Sequence, residues 1–351
     1  MWRKFKKNKM ARIGAFVILV ILLVTVFAPF FSPYNYVRSD LRATYMAPQR
    51  MHFRDRDGNF HFRPFVYKSI REIDPVIFKL SYREDTSQKY FIRFFVHSWK
   101  YKLFGIFESD LHLFGTQKGG VIHLFGTDAQ GRDLFGRILV GGRVTLFIAL
   151  SATIFSGIIG GILGVASAYY LGIVDMLIQR LVEVLRCFPE IPLWMALSTA
   201  LPRGWNPVYT MYGIIVIFAL LNWPMIAREV RGKALPYRDA ELVLAAKAIG
   251  AGDQRIILYH LFPQVFSHLI VAVTTTLPWL ILGESTLSFL GLGIQPPMAS
   301  WGSLMKSAQN LQTLGLHPWI MLPGAFIIIT VLAVSFLGDG LRDAADPFSQ
   351  R

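Results

Sequence analysis

Uncharged apolar runs, separated by short polar breaks, dominate the pattern of this chain. A bilayer core takes about 20 residues of helix. Residues 13–31, 144–172 and 319–337 meet or approach that length without a charge. Residues 208–226, bounded by Arg203 and Arg228, do the same. Residues 269–292 qualify with one interruption, Glu284. A further candidate is less regular. Residues 191–201 are apolar but short, and they continue an upstream helix over 176–190 that carries charges. The pattern predicts an all-α polytopic membrane protein of about six spans, with both termini on one side of the membrane.

Between the first two spans the period changes. "MHFRDRDGNFHFRPFVYKSI" alternates apolar and polar residues around Asp57-Gly58, the signature of a β-hairpin. "KYFIRFFVHSW" reads as a further strand. A small β-containing insert over residues 32–142 is expected, because disordered segments are poor in aromatics and this one is rich in them. In the second span, Gly157, Gly160, Gly161 and Gly164 form two small-xxx-small pairs that allow close helix approach in lipid.

Composition agrees with the membrane reading. Of 351 residues, 53% are hydrophobic and 17% charged, against about a quarter charged in soluble domains. The formal net charge of +14 does not indicate nucleic acid, because it is concentrated in the N-terminal tail and in the insert. Basic flanks on apolar helices follow from the positive-inside rule. The tail, residues 1–12, holds Arg3, Lys4, Lys6, Lys7, Lys9 and Arg12 without an acid, which places it in the cytoplasm. Its apolar run is longer than a signal peptide's, so an uncleaved anchor is expected. Threading outward and back puts residues 229–263 in the cytoplasm too, where Arg231, Lys233, Arg238, Lys247 and Arg255 lie. The insert is then extracytoplasmic. The remaining membrane core covers 143–342, with five of the spans, and 343–351 form a cytoplasmic tail.

The loop over 229–263 carries the candidate chemistry. Leu242, Ala245, Ala246 and Ile249 fall at i, i+3, i+4 and i+7, one face of an amphipathic helix. Gly250 follows as a helix cap. Gly252-Asp253 can start a second short helix through Arg255, Ile256, Ile257 and Leu261, ending near Pro263. Two readings stay open on these residues: an interfacial helix on the lipid surface, or a knob that inserts into a groove on a protein partner.

Other residues offer less. Glu284, an acid at membrane depth, is either a pore or gating contact or a structural hydrogen bond. Arg180, Glu183, Arg186 and Glu190 read as one helix face of alternating sign, either self-neutralising or a contact surface. The eight histidines form no His-x-x-x-His pair, so no metal site is expected. Cys187, the single cysteine, reads as a small apolar residue in a helix. There is no Gly-x-x-x-x-Gly-Lys-Ser/Thr loop for ATP.

"AAKAIGAGDQRIILYHLFP" resembles the cytoplasmic loop of ABC-transporter membrane subunits, with its Ala-Ala pair, a glycine four residues on, and a later Ile and Pro. "FGTDAQGRDLFGRILVGGRVTL", "LGESTLSFLGLGIQPPMASWGSLM" and "LGDGLRDAADP" follow in the order seen in the dipeptide/oligopeptide permease family, so that most of residues 125–347 is similar to it. The resemblance implies the transmembrane fold of a type I ABC importer. Its partners would be a homologous second permease, two ATP-binding cassette ATPases that bind the ATP and magnesium, and an extracytoplasmic solute-binding protein. No cofactor is implied in this chain, and the setting is a bacterial or archaeal plasma membrane. It also implies that Ala245, Ala246 and Gly250 form the turn that couples to the ATPase, with Arg255, Ile257 and Pro263 as its second half. One position departs from the pattern. Leu244 stands where many ABC permeases have Glu, and Glu241 lies one turn earlier. The alternative is a self-contained membrane enzyme or secondary carrier; the absence of a repeat between the two halves counts against a carrier.

Overall fold

The computed structural model describes residues 5–73, 75, 80–103, 105–117, 119–202 and 204–345. Arg3, Lys4, Arg203, Asp346 and Pro347 lie outside the described residues. The helices are α1 (Lys9–Val26), α2 (Ala28–Phe31), α3 (Leu134–Tyr170), α4 (Gly172–Arg186), α5 (Glu190–Ala200), α6 (Pro207–Arg238), α7 (Glu241–Ala248), α8 (Asp253–Phe289), α9 (Trp301–Leu304), α10 (Leu311–Leu316) and α11 (Leu322–Ala345). Strands β1 (His52–Arg54), β2 (Phe60–Ile73), β3 (Leu80–Leu103) and β4 (Phe107–Thr116) lie between α2 and α3. Among the described residues, five helices are long and apolar enough to cross a membrane: α1, α3, α6, α8 and the helix ending at Ala345.

The apolar runs mark these helices but not their ends. The first run is divided at Phe27, since Pro29 lacks an N–H and its ring crowds the preceding turn. The charged stretch over 176–190 is not one helix. Pro189 holds the chain extended ahead of α5, so α4 stops at Arg186 and Glu190 starts the next helix. The stretch expected to supply a sixth span folds instead as two helices of 15 and 11 residues, each too short to cross alone. Helix α6 continues beyond Ile226 to Arg238, because Val230 and Ala234 extend its buried stripe at intervals of four. The loop expected to begin at 229 therefore begins at Asp239. Helix α8 ends at Phe289 rather than near 292, where the Leu292 N–H turns back to the Leu287 carbonyl.

The chain divides into two compact units. One consists of Met1–Val20, Thr145–Ile294 and Ile327–Arg351. In it α3 lies against α6 and α8. A Cβ at Gly164 would stand 2.7 Å from the Ala227 carbonyl oxygen, and one at Gly160 2.8 Å from that of Trp223. These glycines let two backbones meet, as the small-residue spacing predicts.

The other unit consists of Ile21–Val144 and Gln295–Phe326. Its four strands form an antiparallel sheet in sequence order, with Phe65 opposite Phe91 and Ile92 opposite Thr116. The hairpin expected at Asp57-Gly58 joins β1 and β2. Asp55 organises it, accepting the Asp57 and Asn59 N–H groups at 3.0 and 2.9 Å. Lys89 and His61 lie 2.7 and 3.1 Å from the other carboxylate oxygen, and Lys89 above all holds this carboxyl well below the usual range. Strand β4 has no counterpart in the sequence reading, because His112 and Phe114 are buried on the face opposite Leu111 and Leu113 and no apolar alternation shows. The sheet region closes at Asp133, short of residue 142. There the Asp133 carboxylate caps α3 by accepting the Gly136 N–H at 2.8 Å.

Candidate functional site

The polar interruption between α6 and α8 folds as a braced knob. Ala240 starts α7 in an extended conformation, and Glu241 lies in its first turn, where a negative charge suits the helix dipole. The helix ends in a full glycine cap. Gly250, at φ +80°, donates to the Lys247 carbonyl, and Ala251 donates to that of Ala246. Gly252 then begins α8.

Burial on α7 differs from the expected stripe. Val243 and Ala246 are the buried residues, while Leu242, Leu244, Ala245 and Glu241 are exposed and Ile249 is 86% exposed. The i, i+3, i+7 set of Leu242, Ala245 and Ile249 therefore faces outward. The narrower Val243/Ala246 strip packs inward on Val165, Ala168, Tyr169, Val230, Ala234, Ile256 and Leu261. Small inward residues bring α7 close to its support and leave larger apolar side chains free.

Pro263 does not end the second helix. The preceding residues, Ile256–Leu261, form a π-helical turn in which the Phe262 N–H bonds to the Ile257 carbonyl, five residues back. The wider turn accommodates a proline that cannot donate, and α8 continues for a further 26 residues to Phe289. Ile256 and Leu261 are buried, Ile257 is half-buried, and Arg255, Leu258, Tyr259 and Pro263 are exposed. The structure thus brings Glu241, Ala245, Ala246, Gly250, Arg255, Ile257 and Pro263 into one segment, with Ala246 turned to the inside.

The remaining candidates lie elsewhere. Glu284 is fully buried. Its oxygens accept from the Thr145 hydroxyl at 2.8 Å and the Ser288 hydroxyl at 2.6 Å, and Ser288 in turn accepts the Ile294 N–H at 3.0 Å. The carboxylate thus ties α3 to α8 and to the chain that follows α8. At 1.5 Å per residue it stands about 46 Å along α8 from Asp253, at the opposite end of that helix from the knob.

The four charges over 180–190 do not form one face. Arg180 pairs with Glu183 at 2.7 Å in an exposed position. Glu190, beyond the break, instead accepts from the Trp279 ring nitrogen at 2.8 Å. Arg186 lines a surface cleft with Met225, Arg228 and Glu229. Cys187 is exposed at the C-terminal cap of α4 rather than inside a helix.

Sequence reasoning placed Arg231 and Asp253 in the loop but passed over the contacts that brace the knob, and over Tyr169 and Asp175 altogether. Asp175 accepts from Nε and Nη2 of Arg231, at 2.7 and 2.6 Å, and Tyr169 and Asp253 are joined by a hydrogen bond. Their signal was slight: isolated polar groups at the ends of apolar runs, each ordinary alone.

These features define a polytopic membrane protein with a protruding polar segment and no built catalytic cluster among the described residues. The chain belongs to the family of binding-protein-dependent transport system inner membrane components, which matches residues 138–350. Residues 1–48 match the N-terminal transmembrane domain of oligopeptide transport permease C. A protein from Brucella suis named as a peptide transport system permease is 41% identical over 232 residues, covering 66% of this chain and 75% of the relative. The oligopeptide transport system permease protein OppC of Bacillus subtilis is 29% identical over 345 residues, covering 98% and 87%. Among solved structures, an inward-facing MetNI methionine ABC transporter matches at 20% identity, covering 60% of this chain and 96% of that one, with a TM-score of 0.46.

Proposed function

We propose that this chain is the membrane-spanning half of an ATP-driven importer for peptides or peptide-like solutes. It pairs with a homologous second permease. The exposed face of α7 inserts into a groove on one of two ATPases, which hold the ATP and magnesium. An extracytoplasmic solute-binding protein delivers the cargo. The observation that carries the docking reading is the outward set Leu242, Ala245 and Ile249 on a helix whose opposite strip is buried. Exposed Leu242, Leu244 and Ile249 would suit a lipid surface as well; what favours a protein partner is the small Ala245 at the centre of the face, which allows close approach. The peptide class rests on the relatives, several of which are named for peptide transport.

In the proposed topology both termini and the knob are cytoplasmic, α4 and α5 together make the divided crossing, and the sheet faces the other side, where it receives the binding protein. Ala245→Arg tests the reading. Ala245 is exposed, so the variant keeps the thermal stability of the wild type while co-purification with the ATPases falls by at least about tenfold, the cost of burying one unpaired charge at an interface. Wild-type complex formation by a stable A245R protein overturns the docking role.

A further inference from the structure

Tyr169, in the last turn of α3, touches every element of the knob. Its hydroxyl donates to an Asp253 carboxylate oxygen at 2.6 Å, at the start of α8. The Lys247 ammonium of α7 lies 4.9 Å from the centroid of its ring. Its backbone carbonyl accepts from the Arg238 guanidinium at 3.0 Å, at the end of α6. The side chain itself is buried in the same apolar cluster as Val243, Ala246, Ile256 and Leu261. Two residues earlier, the Ser167 hydroxyl donates to Asp175, whose carboxylate is clamped by Arg231 of α6.

The knob is therefore not a loose connection. The turn between α7 and α8 is flanked on both sides by groups fixed to one tyrosine, and that tyrosine sits on the helix that Gly160 and Gly164 pack against α6. We infer that Tyr169 is a positioning residue for energy coupling. It locks α7 and the start of α8 to the end of α3, so that a displacement imposed on the knob moves the spans instead of being absorbed in the Gly250–Gly252 turn. This rests on the proposed docking of α7 onto an ATPase.

The mechanism assigns different consequences to different atoms. The phenol ring supplies packing and the cation contact, and the hydroxyl supplies the one bond to α8. Tyr169→Phe removes only that bond. Asp253→Asn keeps an oxygen acceptor for it.

The test uses the full complex in liposomes, with the second permease, both ATPases and the solute-binding protein, and a mixture of radiolabelled tripeptides as probe. With Tyr169→Phe, the ATPases bind with unchanged affinity and basal hydrolysis stays within about twofold. Peptide taken up per ATP hydrolysed falls by at least about fivefold, as expected for loss of a bond to a charged acceptor. Asp253→Asn keeps most of the coupling, and the double variant falls no further than Tyr169→Phe alone. Full uptake per ATP in Tyr169→Phe overturns the inference. So does a loss of uptake matched by an equal loss of ATPase binding, which would reduce the hydroxyl to a folding contact. A wild-type chain that binds no ATPase overturns the docking reading itself, and this inference with it. A double label across Ile249→Cys and Ile162→Cys, with Cys187→Ser, supplies a readout on the chain alone. The distance distribution is narrow in the wild type and broad in Tyr169→Phe, and equal widths overturn the lock.

Discussion

Replacing Gly164 by alanine tests the close packing of α3 on α6. The added Cβ would lie 2.7 Å from the Ala227 carbonyl oxygen and 2.9 Å from the Val230 Cβ. Both neighbours are on or next to backbone, so neither can swing away. An ordinary contact is about 3.4 Å or more, and the helices must separate by roughly half an ångström or slightly more. Overpacking of this kind costs about 1–3 kcal/mol. Alanine returns about 1 kcal/mol of helix propensity, leaving a net loss of about 0–2 kcal/mol, so the loss is read against Gly232→Ala. Gly160→Ala meets the Trp223 carbonyl oxygen at 2.8 Å, one turn away on the same pair of helices. One separation relieves both clashes, so the double variant loses less than the sum of the singles. Gly232 provides the contrast, because its Cβ would meet nothing within 4 Å; Gly232→Ala gains about 0.5–1 kcal/mol. The assay is unfolding of the detergent-solubilised chain followed by tryptophan fluorescence, where 1 kcal/mol corresponds to about 2–4 °C. If Gly164→Ala proves as stable as the wild type while Gly232→Ala gives no gain, close approach at Gly164 is not what the glycine supplies.

Three further variants follow from the buried carboxylates. Glu284→Ala removes the acceptor of two buried hydroxyls and leaves a cavity, at a cost of about 2–4 kcal/mol, whereas Glu284→Gln keeps an acceptor and costs about 1 kcal/mol; the same unfolding assay separates them, and equal losses refute the hydrogen-bonding role. The Asp55 carboxyl is held well below its usual range, chiefly by Lys89, so its contribution is fully present above the unfolded value, about pH 4, and is lost as pH falls through the lower folded value. Hydrogen exchange in residues 52–73 of the intact chain therefore stays slow down to about pH 4 and rises below it, while Asp55→Asn exchanges faster already at pH 7 and loses this acid step.

The positions of the long helices were legible because an uncharged run of about 20 residues has few other uses. Their ends were not, for a specific reason. Helix α6 leaves the apolar run at Ile226 but keeps burying Val230 and Ala234 under charged neighbours, and a search for absence of charge stops too early there. The knob shows a second limit. Leu242, Ala245 and Ile249 fit a helical stripe as well as Val243 and Ala246 do, and only the helices beneath decide which strip is covered. Pro263 shows a third. Proline marks a helix stop by default, yet a single π turn at Ile256–Leu261 makes room for it and converts an expected short helix into the start of the 37-residue α8. The hairpin at Asp57-Gly58 was legible from residues 55–60 because its turn is local, whereas β4 depends on partners in β3 that no short window contains.

The departure at Leu244 gains a physical meaning from the geometry. Glu241 and Leu244 are separated by three residues, and both are exposed on α7, so they share a face one turn apart. Glu241 stands about 4.5 Å further toward the start of the helix than the acid of many ABC permeases. Under the proposed docking, a groove that received an acid at position 244 would have to bury its basic group against leucine, which is costly when the charge is left unpaired. A groove matched to this chain would, under the same proposal, place its basic group against the first turn of α7 and an apolar wall against Leu244. Under that docking, the change at position 244 would act against grooves shaped for an acid there, and the eight residues of α7 would bias the choice of partner.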